Sequence, residues 1–191
     1  LLTKFNSCIL EIENLCVSYK NRTIFSNASF AAARGDIIAV TGRNGSGKSA
    51  FLRVLCGLMK EKAGRIVFDG KPYPYKKRRE LCYMTMQDVV HQLFSDSVWE
   101  EFSLLNKTVD EQEITKILRR LDLLDYKDKH PMTLSGGQKQ RLALAVATLA
   151  NKDIMIFDEP TSGLGYGNMI KVCELIKEFS SNSVFFVASH D

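Results

Sequence analysis

The sequence predicts an α/β fold with a mainly parallel sheet and an inserted helical segment, and three observations support this. Short continuous apolar runs at 37–40, 154–157 and 184–188 are typical of strands buried on both faces. Helical stretches separate these runs, and strands that alternate with helices favour a parallel sheet. Residues 88–150 are mainly helical in pattern, so we expect them to form an insertion into that sheet.

The remaining elements follow along the chain. The first forty residues predict strands at 9–18 and 23–33, followed by a turn at 34–36. Thr108 and Glu111 have capping-box spacing, and Ile114, Ile117 and Leu121 then fall on one helical face. The other predicted elements are helices at 48–56, 135–150 and 168–179 and strands at 65–68 and 81–86.

Composition excludes several classes of protein. The chain has 191 residues, 45% hydrophobic and 25% charged, which is ordinary for a globular domain and excludes a disordered tail, a collagen-like fibre and a coiled coil. No apolar run approaches the ~18 residues that cross a bilayer. The net charge of +4 comes from 26 basic and 22 acidic residues, too mixed to indicate a nucleic-acid binder.

The five cysteines are widely spaced among apolar neighbours, and we expect all of them to be buried, reduced thiols in a cytosolic protein. They are Cys8, Cys16, Cys56, Cys82 and Cys173. No cluster of cysteine or histidine has the spacing of metal ligands. The chain lacks an initiating Met and stops just after a strand-like run, which indicates one module of a longer polypeptide, truncated at its C-terminus.

A glycine-rich segment carries the most specific motif. Gly42 to Ser49 fits G-x-x-x-x-G-K-[ST] in full, after a buried strand and before a helix. Glycines let backbone amides turn inward around an anion, and the helix start adds unpaired amides and a partial positive charge. A plain glycine turn is the alternative. The predicted nucleotide-binding residues here are Gly42, Arg43, Asn44, Gly45, Ser46, Gly47, Lys48, Ser49 and Ala50, with Lys48 toward the β- and γ-phosphates and Ser49 toward Mg²⁺.

A carboxylate pair, Asp158 and Glu159, ends the buried run at 154–157. The C-terminal end of a parallel strand borders the crevice where such sheets bind ligands. Asp158 is suited to holding Mg²⁺, and Glu159 to acting as general base for an attacking water. The alternative is a solvated pair at a strand end.

A second helix opens with Leu134-Ser135-Gly136-Gly137-Gln138. Ser135 and Gln138 have capping-box spacing, so a well-capped helix is one explanation. Two consecutive glycines in the first turn disfavour a helix by about 1 kcal/mol each, however, and they expose amides at its positive end. This second explanation is an anion-binding surface, formed by Ser135, Gly136, Gly137 and Gln138.

These motifs together resemble the nucleotide-binding domain of ATP-binding cassette (ABC) proteins, whose signature is LSGGQ, here at 134–138. The resemblance covers about 9–191 and implies a P-loop NTPase core with an N-terminal antiparallel β subdomain. It implies a single domain over 1–191, with core and β subdomain at 1–87 and 151–191 and a helical subdomain at 88–150. It also implies a head-to-tail dimer with ATP between the phosphate loop of one subunit and the signature of the other.

Three further positions take roles from the same resemblance. Tyr19 resembles the aromatic residue that stacks on adenine. Gln87 resembles the glutamine that senses Mg²⁺ and water and couples to the membrane partner. His190 resembles the histidine that contacts the γ-phosphate. The implied catalytic residues are thus Glu159, His190 and Gln87, and the implied Mg²⁺ ligands are Ser49, Gln87 and Asp158.

The sequence departs from the family pattern at two positions. Gly165 stands where the family usually has Asp in the loop that crosses to the partner's phosphate loop. Losing that carboxylate removes a contact across the dimer, or marks one half of an asymmetric pair. Ala50 replaces a common Thr, which deletes a hydroxyl near the α-phosphate, so we expect weaker binding.

Residues 92–101 and 165–169 resemble ATPases of energy-coupling-factor importers, which take up vitamins or metal ions. We expect a cytoplasmic subunit, peripheral on the inner face of the membrane, that hydrolyses ATP to drive small-solute transport through a transmembrane coupling subunit, with no nucleic-acid partner. Leu93, Phe94 and Trp99 are predicted to be exposed in a groove for that subunit, although packing within the insertion is the alternative. Two other functions stay open: a non-transport ABC ATPase acting on nucleic acid or ribosomes, and a low-turnover, nucleotide-gated regulatory half-site.

Overall fold

The computed structural model describes residues 8–19, 22–105 and 109–189. Eight strands and five α-helices lie in these ranges. The strands are β1 (Cys8–Tyr19), β2 (Arg22–Ala33), β3 (Ile37–Thr41), β4 (Ala63–Phe68), β5 (Lys71–Pro72), β6 (Cys82–Thr85), β7 (Ile154–Asp158) and β8 (Val184–Ser189). The helices are α1 (Lys48–Leu55), α2 (Arg78–Leu81), α3 (Glu111–Arg120), α4 (Gly136–Ala150) and α5 (Tyr166–Phe179).

Two sheets form, as predicted. The first has the order β2-β1-β4-β5, and β1 pairs antiparallel with both β2 and β4. The second has the order β3-β8-β7-β6, and β3 pairs in parallel with β8 from Ile37 opposite Phe185 to Thr41 opposite Ser189. Every residue of β7 is buried, which explains its unbroken apolar sequence. The α/β fold with an antiparallel N-terminal sheet is therefore confirmed.

The chain divides into two compact units. The first, called here the phosphate-loop unit, contains the described residues up to Tyr83, Lys152–Ile156 and the described residues from Ser180 onward. The second, the carboxylate unit, contains Met84–Asn151 and Phe157–Phe179. No helix in the described ranges is long and apolar enough to cross a membrane.

Four phenylalanines anchor α1 in the phosphate-loop unit. The ring of Phe51, one turn into α1, lies 6.0 Å from the rings of Phe25 and Phe30 in β2 and of Phe186 in β8. Their tilted and edge-to-face geometries are those that aromatic pairs prefer. Because α1 follows the glycine-rich segment directly, this cluster fixes the position of that segment.

Arg78 is a buried charge of the same unit. Its guanidinium makes two hydrogen bonds to the Glu61 carboxylate, at 2.7 and 2.8 Å, and donates to the carbonyls of Val54 and Tyr73 at 3.0 Å. Burial alone would raise the pKa of the Glu61 carboxyl, but the hydrogen bonds and charge of Arg78 bring it below its ordinary value. Arg78 thereby ties the end of α1 to the chain before β6.

In the carboxylate unit, α4 is buried along most of its length, and the predicted capping box at Ser135 and Gln138 is confirmed. The predicted start of α3 is wrong. Asp110 is its N-cap and accepts a hydrogen bond from the amide of Gln112, so Glu111 is already inside the helix. Thr108, the residue expected to cap it, lies outside the described residues.

The prediction that all five cysteines are buried is wrong for Cys173, which is exposed on α5, while Cys8 and Cys16 are half-buried. Its apolar neighbours Val172 and Leu175 are buried because their side chains leave the helix in other directions. Cys56 and Cys82 are buried, and the hydrogen bond between them, together with burial, raises the pKa of the Cys82 thiol.

Candidate functional site

The glycine-rich segment forms a loop between β3 and α1 that uses left-handed backbone conformations. Gly45 has φ of 77° and Gly47 has φ of 102°. A Cβ atom on Gly47 would lie 2.3 Å from Cγ2 of Ile24, so a side chain is excluded there by space as well as by conformation. The motif glycines therefore have a geometric reason, and the loop has the form of an anion-binding nest before a helix start.

Lys48 closes this loop. Its side chain is buried, and Nζ donates hydrogen bonds to the carbonyl oxygens of Gly42, at 2.6 Å, and Arg43, at 3.5 Å. The amide of Ser46 also donates to the Arg43 carbonyl, at 3.1 Å. The ammonium group thus lies over the backbone of the loop, where it would face a phosphate held by the loop amides.

The other predicted nucleotide contacts of this unit are at its surface. Arg43, Asn44, Gly45, Ser46 and Ser49 are exposed, and Ala50 is half-buried. Tyr19 is the last residue of β1, pairs with Arg22 of β2 and is exposed over 60% of its surface. The side chain of Tyr19 is therefore at the surface of this unit.

The carboxylate unit brings together two predicted catalytic residues. Nε2 of Gln87 donates a hydrogen bond to Oε2 of Glu159 at 3.0 Å, although the two residues are 72 positions apart in the chain. Glu159 has a left-handed backbone with φ of 55°, which is uncommon for a residue other than glycine. Asp158, immediately before it, is buried at the end of β7.

Gln92 holds the chain in front of Gln87, a role that the sequence analysis missed. Its Nε2 donates to the carbonyl of Met84 and its Oε1 accepts from the amide of Met86, both at 2.8 Å. These bonds continue the edge of β6 by one residue and set the direction in which the chain reaches Gln87. A glutamine five residues after Gln87 is a weak signal, since it predicts no contact by itself.

The signature segment begins α4. The hydroxyl of Ser135 accepts from the amide of Gln138 at 3.3 Å, and Oε1 of Gln138 accepts from the amide of Ser135 at 2.8 Å. A Cβ on Gly136 would meet no atom within 4 Å, whereas one on Gly137 would lie 3.4 Å from a methyl group of Leu164. Gly136 therefore presents open backbone, and Gly137 lies close to the turn that follows Glu159.

Gln140 is a second residue that the sequence analysis missed. It is 5% exposed, and its Nε2 donates to the backbone carbonyl of Glu159 at 3.4 Å. The sequence carried part of this signal, because a polar residue in a mostly apolar stretch of helix needs a hydrogen-bond partner when it is buried.

The two remaining predicted features are His190 and Gly165. His190 lies outside the described residues. Gly165 begins the turn into α5, and its carbonyl accepts from the amides of Asn168 and Met169 at 2.9 and 3.0 Å. A Cβ there would meet no atom within 4 Å, so the fold does not require glycine at this position.

The predicted exposed groove is only partly right. Phe94 is 75% exposed, but Leu93 is 4% exposed and Trp99 is half-buried, because both pack into the carboxylate unit. Glu101, also missed, is 2% exposed and accepts the Ser95 amide at 2.8 Å. Its carboxylate therefore holds the turn that displays Phe94.

Each unit contains an oxygen donor of the kind that suits a hard cation. No group of three or more His, Cys, Asp or Glu side chains converges anywhere in the described part of the chain. The Ser49 hydroxyl and the Asp158 carboxylate are oxygen donors of the kind that Mg²⁺ prefers, and Mg²⁺ usually takes one or two protein ligands plus substrate phosphates.

Comparisons with known proteins identify the family of this chain. A protein-family model described as ABC transporter matches residues 25–162. A putative ABC transporter ATP-binding protein of Treponema denticola is 45% identical over 188 residues, which cover 98% of this chain and 38% of that protein. The energy-coupling factor transporter ATP-binding protein EcfA1 of Fusobacterium nucleatum is 35% identical over 183 residues, covering 91% and 69%.

A similar solved structure is that of cbiO1 from Clostridium perfringens, described as part of the ABC transporter complex cbiONQ. It matches with a TM-score of 0.82 at 32% identity, covering 97% of this chain and 80% of that one. The chain spans 38% of the length of each of two Treponema denticola relatives that it matches.

Proposed function

This chain belongs to the ABC transporter family as an ATP-binding domain, and from that premise we propose that it hydrolyses ATP to drive transport of a small solute, a vitamin or a metal ion, through a membrane partner. The observation that carries the proposal is the hydrogen bond between Gln87 and Glu159. It fixes the orientation of a carboxylate that directly follows a buried strand. The complete phosphate loop supports the same activity.

We propose the following roles for the side chains. The amides of Gly42 to Ser49 bind the phosphates, Lys48 neutralises the charge of the β- and γ-phosphates, and Tyr19 stacks on adenine. Glu159 accepts the proton of the water that attacks the γ-phosphorus, and Gln87 orients that carboxylate by its amide hydrogen bond. His190 contacts the γ-phosphate.

Magnesium ion suits oxygen donors of this kind, and we propose that Ser49, Asp158 and Gln87 would hold it, as the family resemblance implies. When bound it neutralises charge on the β- and γ-phosphate oxygens. The chain's own contribution is to place a hydroxyl at the start of α1 and a carboxylate at the end of β7.

We propose a dimer, of identical or related subunits, in which the signature segment faces the ATP of the partner. Ser135 and the open backbone at Gly136 lie at the positive end of α4, which suits a phosphate held by another subunit. The chain as a whole would form one nucleotide-binding domain, with 88–150 as its helical subdomain.

The proposed membrane partner is supported by the names of two relatives, an energy-coupling factor transporter protein and a component of cbiONQ. The exposed Phe94, seven residues after Gln87, offers an apolar contact in a turn that the buried Glu101 holds. A subunit with these contacts would be cytoplasmic and peripheral on the inner face of the membrane. Selection of the solute would belong to the membrane components.

One observation favours a second candidate, a low-turnover regulatory half-site. Gly165 lacks the carboxylate expected to cross to the partner, although the fold leaves room for a side chain there. A half-site of this kind would bind ATP and turn it over slowly.

The test is the Glu159→Gln variant of the purified protein, compared with Glu111→Gln, which changes an exposed carboxylate on α3. Glu159→Gln removes the base but keeps the shape of the side chain. We expect Mg·ATP binding to change less than about threefold and turnover to fall by about 1,000-fold, within the range attributed to general bases. Calorimetry measures binding and phosphate release measures turnover.

Normal hydrolysis by Glu159→Gln would disprove the role of Glu159. If the wild-type protein binds ATP but releases phosphate no faster than Glu159→Gln, the result favours the regulatory half-site over the transport ATPase. The Glu111→Gln control should match the wild type in both measurements.

A further inference from the structure

The side chain of Gln140 contacts the backbone of Glu159 in the interior of the carboxylate unit. Gln140 is 5% exposed, and its Nε2 lies 3.4 Å from the carbonyl oxygen of Glu159. The same oxygen accepts the amide of Ser162 at 3.1 Å. Two donors on one carbonyl fix the orientation of the peptide group that follows Glu159.

That orientation is unusual, since Glu159 is left-handed with φ of 55°. A residue with a Cβ atom adopts this conformation at a cost in free energy, and it persists only where the surroundings hold it. The side-chain carboxylate is held by Gln87 at 3.0 Å. Glu159 is therefore held at both ends, by Gln87 at the carboxylate and by Gln140 at the backbone.

Gln140 also belongs to the helix that starts with the signature segment. Ser135 caps α4, and Gln140 lies within the next turn and a half. Gly137 approaches the same loop from the side, with its Cβ position 3.4 Å from Leu164 and 3.9 Å from the carbonyl oxygen of Gly163. A shift of the first turns of α4 would move both contacts against the segment 159–164.

The geometry points to Gln140 as a positioning residue that couples the signature segment to the general base of its own chain. The inference rests on the proposed function, because it assigns a role toward the carboxylate of Glu159. The signature segment serves the ATP bound by the partner, whereas Glu159 serves the ATP bound by its own phosphate loop. Through Gln140, filling of one site sets the backbone conformation of the base in the other.

A purely structural role makes a different prediction. If Gln140 only fills a buried space, its loss lowers the folded fraction and the melting temperature, and each folded molecule keeps its turnover number. If Gln140 positions Glu159, turnover per folded molecule falls and ATP affinity stays the same. Measurements of kcat and KM per folded molecule, together with the melting temperature, therefore separate the two roles.

The experiment uses the full chain with Gln140→Met, which keeps the length of the side chain and removes the donor. Gln112→Met, at an exposed position on α3, is the matched control. We expect kcat per nucleotide-binding site to fall about tenfold, the effect of losing one hydrogen bond that orients a catalytic group. KM for ATP should change less than about twofold, and Gln112→Met should behave as wild type.

Combination with Glu159→Gln gives a second readout. If Gln140 acts through Glu159, the double variant loses no more turnover than Glu159→Gln alone. A kcat for Gln140→Met equal to that of wild type would overturn the inference, as would fully multiplicative losses in the double variant. If the wild-type protein itself shows no hydrolysis, the proposed function fails instead.

Discussion

The two units hold their predicted functional residues in different ways. In the phosphate-loop unit the predicted ligands are consecutive residues, shaped by the backbone and closed by Lys48 over the carbonyl of Gly42. In the carboxylate unit the base is held by side chains from distant positions, Gln87 and Gln140. The first arrangement is local in sequence, and the second exists only once the unit has folded.

Two buried charged residues, one in each unit, have different kinds of partner. Arg78 of the phosphate-loop unit has a full countercharge in Glu61. Glu101 of the carboxylate unit is held by backbone amides, among them that of Ser95. Arg78 is therefore balanced by a salt bridge, whereas the Glu101 carboxylate is satisfied mainly by amide dipoles.

The sharpest test of this comparison removes Lys48. We expect Lys48→Met to lower ATP hydrolysis at sub-saturating ATP by about 1,000-fold, because electrostatic stabilisation of a transferring phosphoryl group is a large term in such sites. Lys62→Met, at an exposed position, is the control. Phosphate release and calorimetric titration with Mg·ATP measure the effect. Unchanged binding and turnover would show that the loop amides suffice without the lysine.

The next test concerns the salt bridge. Glu61→Gln leaves the Arg78 guanidinium without its countercharge, and we expect unfolding to become easier by about 2 kcal/mol. That is below the ~3–5 kcal/mol of a fully buried pair, because Glu61 keeps some access to water. Urea denaturation at neutral pH measures it, with Glu80→Gln on the surface of α2 as the control.

The pH dependence of that effect has a definite sign. The folded protein lowers the pKa of Glu61 below its ordinary value of 4.5, so the stabilisation is present above that value and is lost as the pH falls through the lowered one. The difference between wild type and Glu61→Gln should therefore shrink in acid. A difference that does not change with pH would contradict the salt bridge.

The smallest effect is expected at Glu101. Burial raises the pKa of its carboxyl above the ordinary value of 4.5, although the amides of Ser95 and Phe94 and the nearby His130 act in the opposite direction. Its contribution to stability is therefore greatest below that ordinary value and falls as the pH rises through the raised one. The glutamine in Glu101→Gln cannot ionise, so this variant should lose the corresponding part of the pH dependence of the unfolding free energy. Urea denaturation at a series of pH values measures it. Parallel curves for wild type and variant would contradict the raised pKa.

The same contrast explains what the sequence could predict. Contiguous motifs carried enough information for the phosphate loop, the cap of α4 at Ser135 and the strand that ends in Asp158. Gln87 and Glu159 were expected in one site only through the family resemblance. Gln92 was missed because its hydrogen bonds to Met84 and Met86 leave no periodic or spacing signal. For Gln140 the sequence shows that a buried polar residue needs a partner, but it does not show which one.

The incorrect predictions have physical reasons. Leu93 was expected at the surface beside Phe94, but adjacent residues in a short turn point to opposite sides, and only Phe94 faces water. Cys173 has apolar neighbours, yet its place on α5 is on the exposed face. For α3, Asp110 is the N-cap, and Asp is at least as good an N-cap as Thr.

The aromatic cluster around Phe51 has an evolutionary consequence. One ring of α1 touches rings of β2 and β8, so three segments far apart in the chain share a single packed volume. Overpacking and cavities both cost stability, and volume-conserving exchanges are tolerated best. Among descendants of this sequence, a larger residue at 51 should be accompanied by a smaller one at 25, 30 or 186. The need to hold the phosphate loop therefore limits sequence change even in strands that bind no ligand.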